Sequence, residues 1–379
     1  MKVIVLGAGL VGGPMAVDLA KDSELKVSVA DLSSVALNKI DKRHPIETIQ
    51  KDLSQPDEVK VLVDGFDVVV NAVPGFMGYQ TVKSIIEAGK DVIDIAFFPE
   101  DPFQLDELAK EKGVTVVVDC GVAPGMSNIL IGHVDSILDK TENVLIYVGG
   151  LPEKRQWPYE YKAPFSPIDV IEEYTRPARY VENGKMVVRP ALSEPELIDF
   201  PEVGTLEVFN TDGLRSLAKT MSAPNMKEKT LRYPGHIEKM RILRETGFFS
   251  QDEIDINGTM VRPIDLTTKL LFPKWEYLKG EADITVMQVM VEGFKAGKKL
   301  RYTYDLIDRY DTATETLSMA RTTGYTATMA VRLLAKGMYS AKGLSVPEYL
   351  GQKPECVEFI LNGLKERGVV YEEKIEEIS

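Results

Sequence analysis

The sequence predicts an α/β chain, with a doubly wound parallel sheet of the Rossmann type and then a second, α+β domain. Three observations predict it. Strand-like and helix-like runs alternate over the first 120 of 379 residues. A glycine-spaced turn, Gly7-Ala8-Gly9-Leu10-Val11-Gly12, links the first strand to the first helix. From Met126 onward the alternation gives way to long strand-like runs with few helices.

Six runs read as strands of the first domain: "KVIVLGAG", "LKVSVAD", "PIETIQKD", "DVVVNAVPG", "DVIDIAF" and "VTVVVDCG". Val and Ile dominate them on both faces, as in a central parallel sheet covered on two sides. The segments between them read as helices. "SQPDEVKVLVDG" carries Ser54, then Pro56 and Asp57 in its first turn, and ends at Gly65. "YQTVKSIIEAGK" ends near Gly89 and "DPFQLDELAKEKG" at Gly113, both suited to a left-handed helix end. Beyond Met126, "MSNILIGHVDSIL" reads as a helix and "ENVLIYVGGLP" as a strand. "KMVVRPAL", "GTLEVFNTD", "ADITVMQVMVEGF" and "KLRYTYDLIDRYD" read as further strands, the last two forming a hairpin through "KAGKK". "ATETLSMARTTGYTATMAVRLLAKG" is helical and is expected to return to the first domain. The expected domains are therefore 1–125 with 318–379, and 126–317.

Composition excludes several classes. Hydrophobic residues make up 44%, enough for packed cores. The formal net charge of −13 argues against a nucleic-acid or anionic-membrane surface. No run of eighteen apolar residues is present to span a membrane. The N-terminal apolar run is too short for a signal peptide and ends in glycines, so a cytoplasmic location is expected. Cys120 and Cys356 make no disulfide framework, and His44, His133 and His236 are too scattered for a metal cluster; no metal is expected.

The glycine turn points to a dinucleotide. Gly7 permits the tight turn, Gly9 lets backbone approach a pyrophosphate, and Gly12 lets helix pack on strand; Leu10 and Val11 complete the turn. The helix that follows offers unpaired N–H groups and a positive partial charge. Asp31 ends the second strand, 19 residues beyond Gly12. A carboxylate there accepts the ribose hydroxyls and repels a 2′-phosphate, and no Lys or Arg follows before Lys39, so NAD is favoured over NADP. The hydroxyls of Ser33 and Ser34 would tolerate a phosphate. Asp52-Leu53 ends the third strand and either flanks the adenine or leads into the next helix with Asp52 as a solvent-facing cap. Ala72, Val73, Pro74 and Gly75 end the fourth strand and are small enough for the cofactor to lie across them. Asp119 and Cys120 end the sixth, at the expected nicotinamide end.

Four motifs are costly for a scaffold alone: "EEYTRPARYVENGK", "NTDGLRSL", "LRYPGHIEKM" and "ARTTGYTA". Arginine is the side chain for bidentate carboxylate recognition. Arg215 is the preferred clamp for a substrate carboxylate, with Arg176 and Arg232 behind it, and Asp212 and Thr323 complete the substrate set. Each arginine taken singly also fits a structural ion pair. A proton acceptor is sought among Asp119, His236 and Lys162. Their alternatives are a turn cap, a structural donor and a solvated lysine.

Together these motifs identify a resemblance. Gly7-Ala8-Gly9, Pro74-Gly75-Phe76, "DCGVAPGMSN", Gly149-Gly150-Leu151-Pro152, "EEYTRPAR", "DGLRS", "LRYPGH" and "SMARTTGYTA" resemble the saccharopine dehydrogenase-like family, and within it the L-lysine 6-dehydrogenases. Ala123 stands where saccharopine-forming reductases tend to carry an acid. The resemblance implies a Rossmann domain and a dimerising α+β domain of saccharopine-reductase type, hence a homodimer or higher oligomer. It also implies NAD-dependent oxidative deamination of the lysine ε-amine to a semialdehyde that cyclises to piperideine-6-carboxylate. Two alternatives stand beside it: a saccharopine or carboxynorspermidine type reductase, and an NAD-binding sensor without catalysis.

Overall fold

The computed structural model describes residues 1–40 and 44–379. The first elements are β1 (Lys2–Leu6), α1 (Gly12–Leu19), β2 (Lys26–Asp31), α2 (Ser34–Asn38), β3 (Ile46–Gln50), α3 (Pro56–Val63), β4 (Val68–Asn71) and α4 (Gly75–Glu87). Then come β5 (Asp91–Asp94), α5 (Asp106–Lys112), β6 (Thr115–Val117) and α6 (Met126–Ile137). The middle of the chain holds β7 (Lys140–Pro152), α7 (Pro167–Thr175), β8 (Ala178–Glu182), β9 (Lys185–Arg189), β10 (Glu196–Phe200), β11 (Gly204–Asn210), α8 (Leu217–Thr220), β12 (Asn225–Arg232) and α9 (His236–Glu245). It continues with β13 (Ile254–Ile256), β14 (Thr259–Val261), α10 (Pro263–Trp275), β15 (Asp283–Lys295) and β16 (Lys298–Arg309). Last are α11 (Ser318–Ala335), β17 (Gly343–Ser345), α12 (Pro347–Gly351), α13 (Pro354–Glu366) and β18 (Glu372–Glu377).

In the first unit, a seven-stranded sheet runs β17-β6-β5-β4-β1-β2-β3 with every pairing parallel. The order reverses at β1, which lies between β2 and β4, so the glycine turn leaves β1 at the switch point where open α/β sheets bind ligands. Val3, Ile4, Val5 and Leu6 are fully buried, as a strand covered on both faces must be. Local chemistry sets the helix ends: Pro56, Asp57 and Glu58 open α3, and Gly113 closes α5 with φ 65°.

In the second unit, a mixed sheet runs β10-β11-β12-β7-β15-β16-β18, with β8 and β9 branching from β12. β12 and β7 are parallel, and β15 pairs with β7 and β16 antiparallel. The β15–β16 hairpin turns at Ala296 and Gly297, both at positive φ, the geometry of a tight two-residue turn. Leu206, Val208 and Leu231 pack on one face of this sheet, whereas Phe209 packs with Tyr174, Ile237 and Trp275 against its helices.

The two compact units differ from the expected boundaries. The first comprises Met1–Asp139 and Met319–Tyr371, the second Lys140–Ser318 and Glu372–Ser379. Helix α6 belongs to the first unit because it packs closely on α12: a Cβ on Gly132 would come within 2.8 Å of Glu348 Cα. The last eight residues belong to the second because β18 pairs antiparallel with β16.

Candidate active site

The glycine turn is shaped by close backbone approach. Gly7 has φ 103°, and a Cβ on it would lie 2.6 Å from the Ala72 carbonyl oxygen. A Cβ on Gly12 would overlap the Gly7 carbonyl, whereas one on Gly9 would meet nothing within 4 Å. That open face is what a pyrophosphate approaching backbone needs. No side chain caps α1 at Val11 and no acid stands in its first turn, so the positive end of the helix is uncancelled. Leu10 is exposed. Asp31 accepts from Ala8 N–H at 2.7 Å through Oδ2 and from Ser33 N–H at 2.7 Å through Oδ1. It therefore ties the turn to the end of β2, and each oxygen keeps a lone pair for a ribose hydroxyl. The Ser33 hydroxyl is engaged as the cap of α2, accepting from Ala36 N–H.

Asp52 is exposed and accepts from Ser54 N–H at 2.9 Å in the turn before α3, whose N-cap is Gln55 rather than Asp52, while Leu53 is buried in the core. Ala72 and Pro74 are half-buried, Val73 and Gly75 buried, and α4 starts at Gly75. At the ends of β5 and β6 stand Asp94, Asp119 and Cys120, all buried. Cys120 N–H donates to the Asp94 carbonyl, and Asn71 Nδ2 donates to the Asp94 carboxylate at 2.7 Å. Burial, reinforced by Asp94 and Asp119, pushes the Cys120 thiol up to about 12, so it is an inert thiol there. Asp119 has φ 54°, an uncommon left-handed position for an aspartate. Thr323 sits on α11 beside this loop: a Cβ on Gly121 would come within 3.3 Å of its methyl. Asp94 escaped sequence reading because it looked like one acid in an apolar strand.

In the second unit, three sequence motifs converge. Arg232, 2% exposed, donates from Nε to Tyr174 Oη at 3.1 Å and pairs through Nη2 with Glu173. Its guanidinium lies 4.4 Å from the centroid of the Tyr161 ring. The Tyr174 hydroxyl meets His236 Nε2 at 2.9 Å, and His236 Nδ1 meets the Tyr159 carbonyl at 2.9 Å. A carbonyl only accepts, so Nδ1 carries the proton and Tyr174 donates to Nε2. Burial, with Arg232 close by, lowers the His236 pKa to about 3. Arg179 grips Asp212 with two bonds, 2.8 Å from Nε and 2.7 Å from Nη2, joining "EEYTRPAR" to "NTDGLRSL". Arg176 reaches Glu172 at 3.3 Å, and Arg215 is half-buried with φ 51°. Lys162 is buried, paired with Glu281, and donates to the Glu276 carbonyl at 3.1 Å. Among the described residues, no group of three or more His, Cys, Asp or Glu is placed to hold a metal.

A family model described as the saccharopine dehydrogenase NADP binding domain matches residues 3–117, and one described as the saccharopine dehydrogenase C-terminal domain matches residues 121–369. The chain belongs to the saccharopine dehydrogenase family. The mitochondrial alpha-aminoadipic semialdehyde synthase of Rattus norvegicus is 23% identical over 442 residues, covering 98% of this chain and 47% of that protein. The chain thus spans about half the length of that relative. The carboxyaminopropylagmatine dehydrogenase of Synechocystis sp. is 23% identical, with 93% of this chain and 94% of that protein covered. The apo saccharopine dehydrogenase (L-Glu forming) of Saccharomyces cerevisiae has the same fold, with a TM-score of 0.79, 20% identity and 99% of both chains covered.

For this family of oxidoreductases a bound nicotinamide dinucleotide is implied, and the residues present fit one. The open face at Gly9, the uncancelled end of α1 and the Asp31 carboxylate are the features a dinucleotide requires. Among the groups that sequence reasoning missed, Glu173, Tyr174 and Glu228 are the most consequential. Glu173 and Tyr174 lay inside a motif read for its arginines. Glu228 offered one signal, a charge among same-face neighbours of a strand, legible only once that face was known to be buried.

Proposed function

We propose that this chain is an NAD-dependent amino-acid oxidoreductase that removes the ε-amine of L-lysine. The substrate ammonium, NAD⁺ and water give the 6-semialdehyde, ammonium ion, NADH and a proton. The semialdehyde then cyclises to piperideine-6-carboxylate. The observation that supports this best is the convergence of three separate motifs: Arg232, Tyr174 and His236 form a buried hydrogen-bonded group with Glu173 on Arg232, and the exposed Arg179 grips the buried Asp212. Burying polar groups is costly unless they are hydrogen-bonded, and here each meets a partner from another motif. Ala123 favours lysine over saccharopine, since an alanine and not an acid stands directly before Pro124 in the turn after β6.

The bound dinucleotide supplies the hydride acceptor. The glycine turn and α1 hold its pyrophosphate, with Leu10 and Val11 lining the turn. Asp31 favours NAD because a 2′-phosphate beside its carboxylate would be repelled. Asp119 is our candidate to take the proton that the substrate amine must lose. His236 suits a positioning role instead: its neutral ring fixes the Tyr174 hydroxyl, which in turn orients Arg232. Lys162 is engaged by Glu281 and serves as an anchor of the Glu276–Glu281 segment. Arg215 remains the preferred carboxylate clamp, on its place in the "DGLRS" turn and the bidentate geometry of its guanidinium.

A second reading, a reductase that condenses an amine with a semialdehyde, is favoured by the near end-to-end match to the Synechocystis protein. Incubation with NAD or NADP and single amino acids separates the readings. Reduced-nicotinamide absorbance should rise with lysine and NAD. A rise only with saccharopine-type adducts supports the second reading, and NAD binding without turnover of any substrate supports a sensor. Arg215→Ala should raise KM for lysine by about tenfold or more, the worth of one charged hydrogen-bonded contact. An unchanged KM removes that assignment.

A further inference from the structure

The β13–β14 hairpin is closed by Asn257 and Gly258, both at positive φ, an Asn-Gly turn of the kind that fixes a hairpin locally. The Asp255 carboxylate accepts from Gly258 N–H at 2.6 Å and pins the turn. The shape is therefore well specified, yet its own chain leaves it uncovered: every residue from Gln251 to Met260 is exposed. Two strands of three residues are marginal by themselves in water. This hairpin nevertheless carries Ile254, Ile256 and Met260 into solvent, each between 46% and 56% exposed.

The same surface continues along α10, which the chain enters directly from β14 through Arg262. The Ser250 carbonyl, at the base of the hairpin, accepts from Ile264 N–H in the first turn of α10 and ties the two elements together. Ile264, Thr267, Leu271 and Trp275 form the buried stripe of this helix. Leu266 and Leu270 lie one turn apart on the opposite side, 51% and 63% exposed. Hairpin and helix thus offer five large apolar side chains on one continuous stretch, where ordinary surfaces scatter them singly.

Charge indicates what meets this surface. Residues 251–261 carry three acids, Asp252, Glu253 and Asp255, and no base. From Leu266 to Trp275 the helix carries Lys269 and Lys274 and no acid. Asp252, Glu253, Lys269 and Lys274 form no ion pair among the described residues. The surface is acidic at the hairpin, apolar in the middle and basic toward the end of the helix, so its complement is itself turned end for end. A two-fold axis beside Leu266 and Leu270 sets α10 antiparallel to its copy. It brings each acidic hairpin toward the lysines of the second copy and opposes the two helix dipoles. A nucleic acid or an anionic bilayer would meet the three carboxylates instead, on a chain whose net charge is −13.

We propose that the β13–β14 hairpin and the outer face of α10 form an isologous interface that docks a second copy of this chain. The inference stands apart from the substrate assigned above.

The test is the mass of the full chain in solution, followed by sedimentation over a range of concentrations. Wild type is compared with Leu266→Asp/Leu270→Asp and with two charge-reversed proteins, Asp252→Lys/Glu253→Lys and Lys269→Glu/Lys274→Glu. Wild type should be a dimer or a larger even-numbered assembly. The leucine variant should weaken this association by about thirtyfold or more, as expected for losing an apolar centre. Each charge-reversed protein alone should associate more weakly, because like charges then face each other across the axis. Mixed in equal amounts, the two should regain association, because acid meets base at both ends of the mixed pair. Damage to the fold would not be repaired by mixing. A monomeric wild type overturns the inference, whatever else then covers the surface, and so does a leucine variant that associates like wild type. Charge-reversed proteins that associate like wild type, or whose mixture recovers nothing, overturn it as well. If the leucine variant does not fold, the charge-reversed pair decides.

Discussion

Glu228 and His236 are both buried, both uncharged at neutral pH, and opposite in what they do to stability. The His236 pKa falls to about 3 on folding, chiefly by burial, from about 6.5 in an unfolded chain. Between those values the unfolded chain binds the extra proton, so the stability this neutral ring contributes is present above about pH 6.5 and is lost as pH falls. Glu228 is raised to about 8, again chiefly by burial. Here the native chain holds the extra proton, so its contribution is present at low pH and is lost as pH rises through about 8. Denaturant titrations across this range should give a dome, with the acid limb set partly by His236 and the alkaline limb partly by Glu228. E228Q should lift the alkaline limb. An alkaline limb identical in the two proteins would show that Glu228 does not hold its proton near neutrality.

Elements distant in sequence are tied together by Asp18 at the end of α1. Its carboxylate, 1% exposed, accepts from Thr328 Oγ1 and Arg332 Nη1 on α11, both at 2.7 Å, and from Arg367 Nε just past α13 at 2.8 Å. Gly324 assists by letting α11 approach α1, since a Cβ there would come within 2.7 Å of Met15 Cγ. Removing the carboxylate leaves Arg332, whose side chain is 7% exposed, without this partner in the interior. Asp18→Ala should cost about 3–5 kcal/mol, the range for breaking one side of a buried pair. Thermal unfolding of the purified variant checks it, and a loss below about 1 kcal/mol, as for an exposed pair, would contradict the assignment.

At the scale of the whole molecule, the first unit is built from two distant stretches of chain. Residues 1–139 lack β17, which pairs parallel with β6, and lack the α11 and α13 contacts of Asp18. Expressed alone, they should show no cooperative thermal transition. The same residues joined by a short linker to 319–371 should unfold cooperatively and bind NAD. A cooperative transition in 1–139 alone, matching that of the joined chain, would overturn this. The second unit takes its last strand from the chain's end: β18 pairs with β16 over six residue pairs, from Leu300–Glu377 to Asp305–Glu372.

Periodicity and turn chemistry are local properties, and for that reason the sequence by itself determined much. The alternating Val-rich runs became the parallel strands β1 to β6. The Gly7–Gly12 spacing became a turn with an open face at Gly9, and Asp31 came to stand beside it. The return of the chain after Ser318 was legible from an unplaced helix, but its end was not, because β18 is short, charged and exposed and reads as a tail until its partner is known. Only the tertiary structure decided which arginine meets which acid. Arg215, Arg232 and Arg176 look alike as residues in motifs, yet the fold gives Arg232 to Glu173 and Arg176 to Glu172. It also leaves Glu228 without a cation. Ion pairing and burial depend on contacts between residues far apart in the chain, and the energy of a charge is set by what surrounds it rather than by its neighbours in sequence.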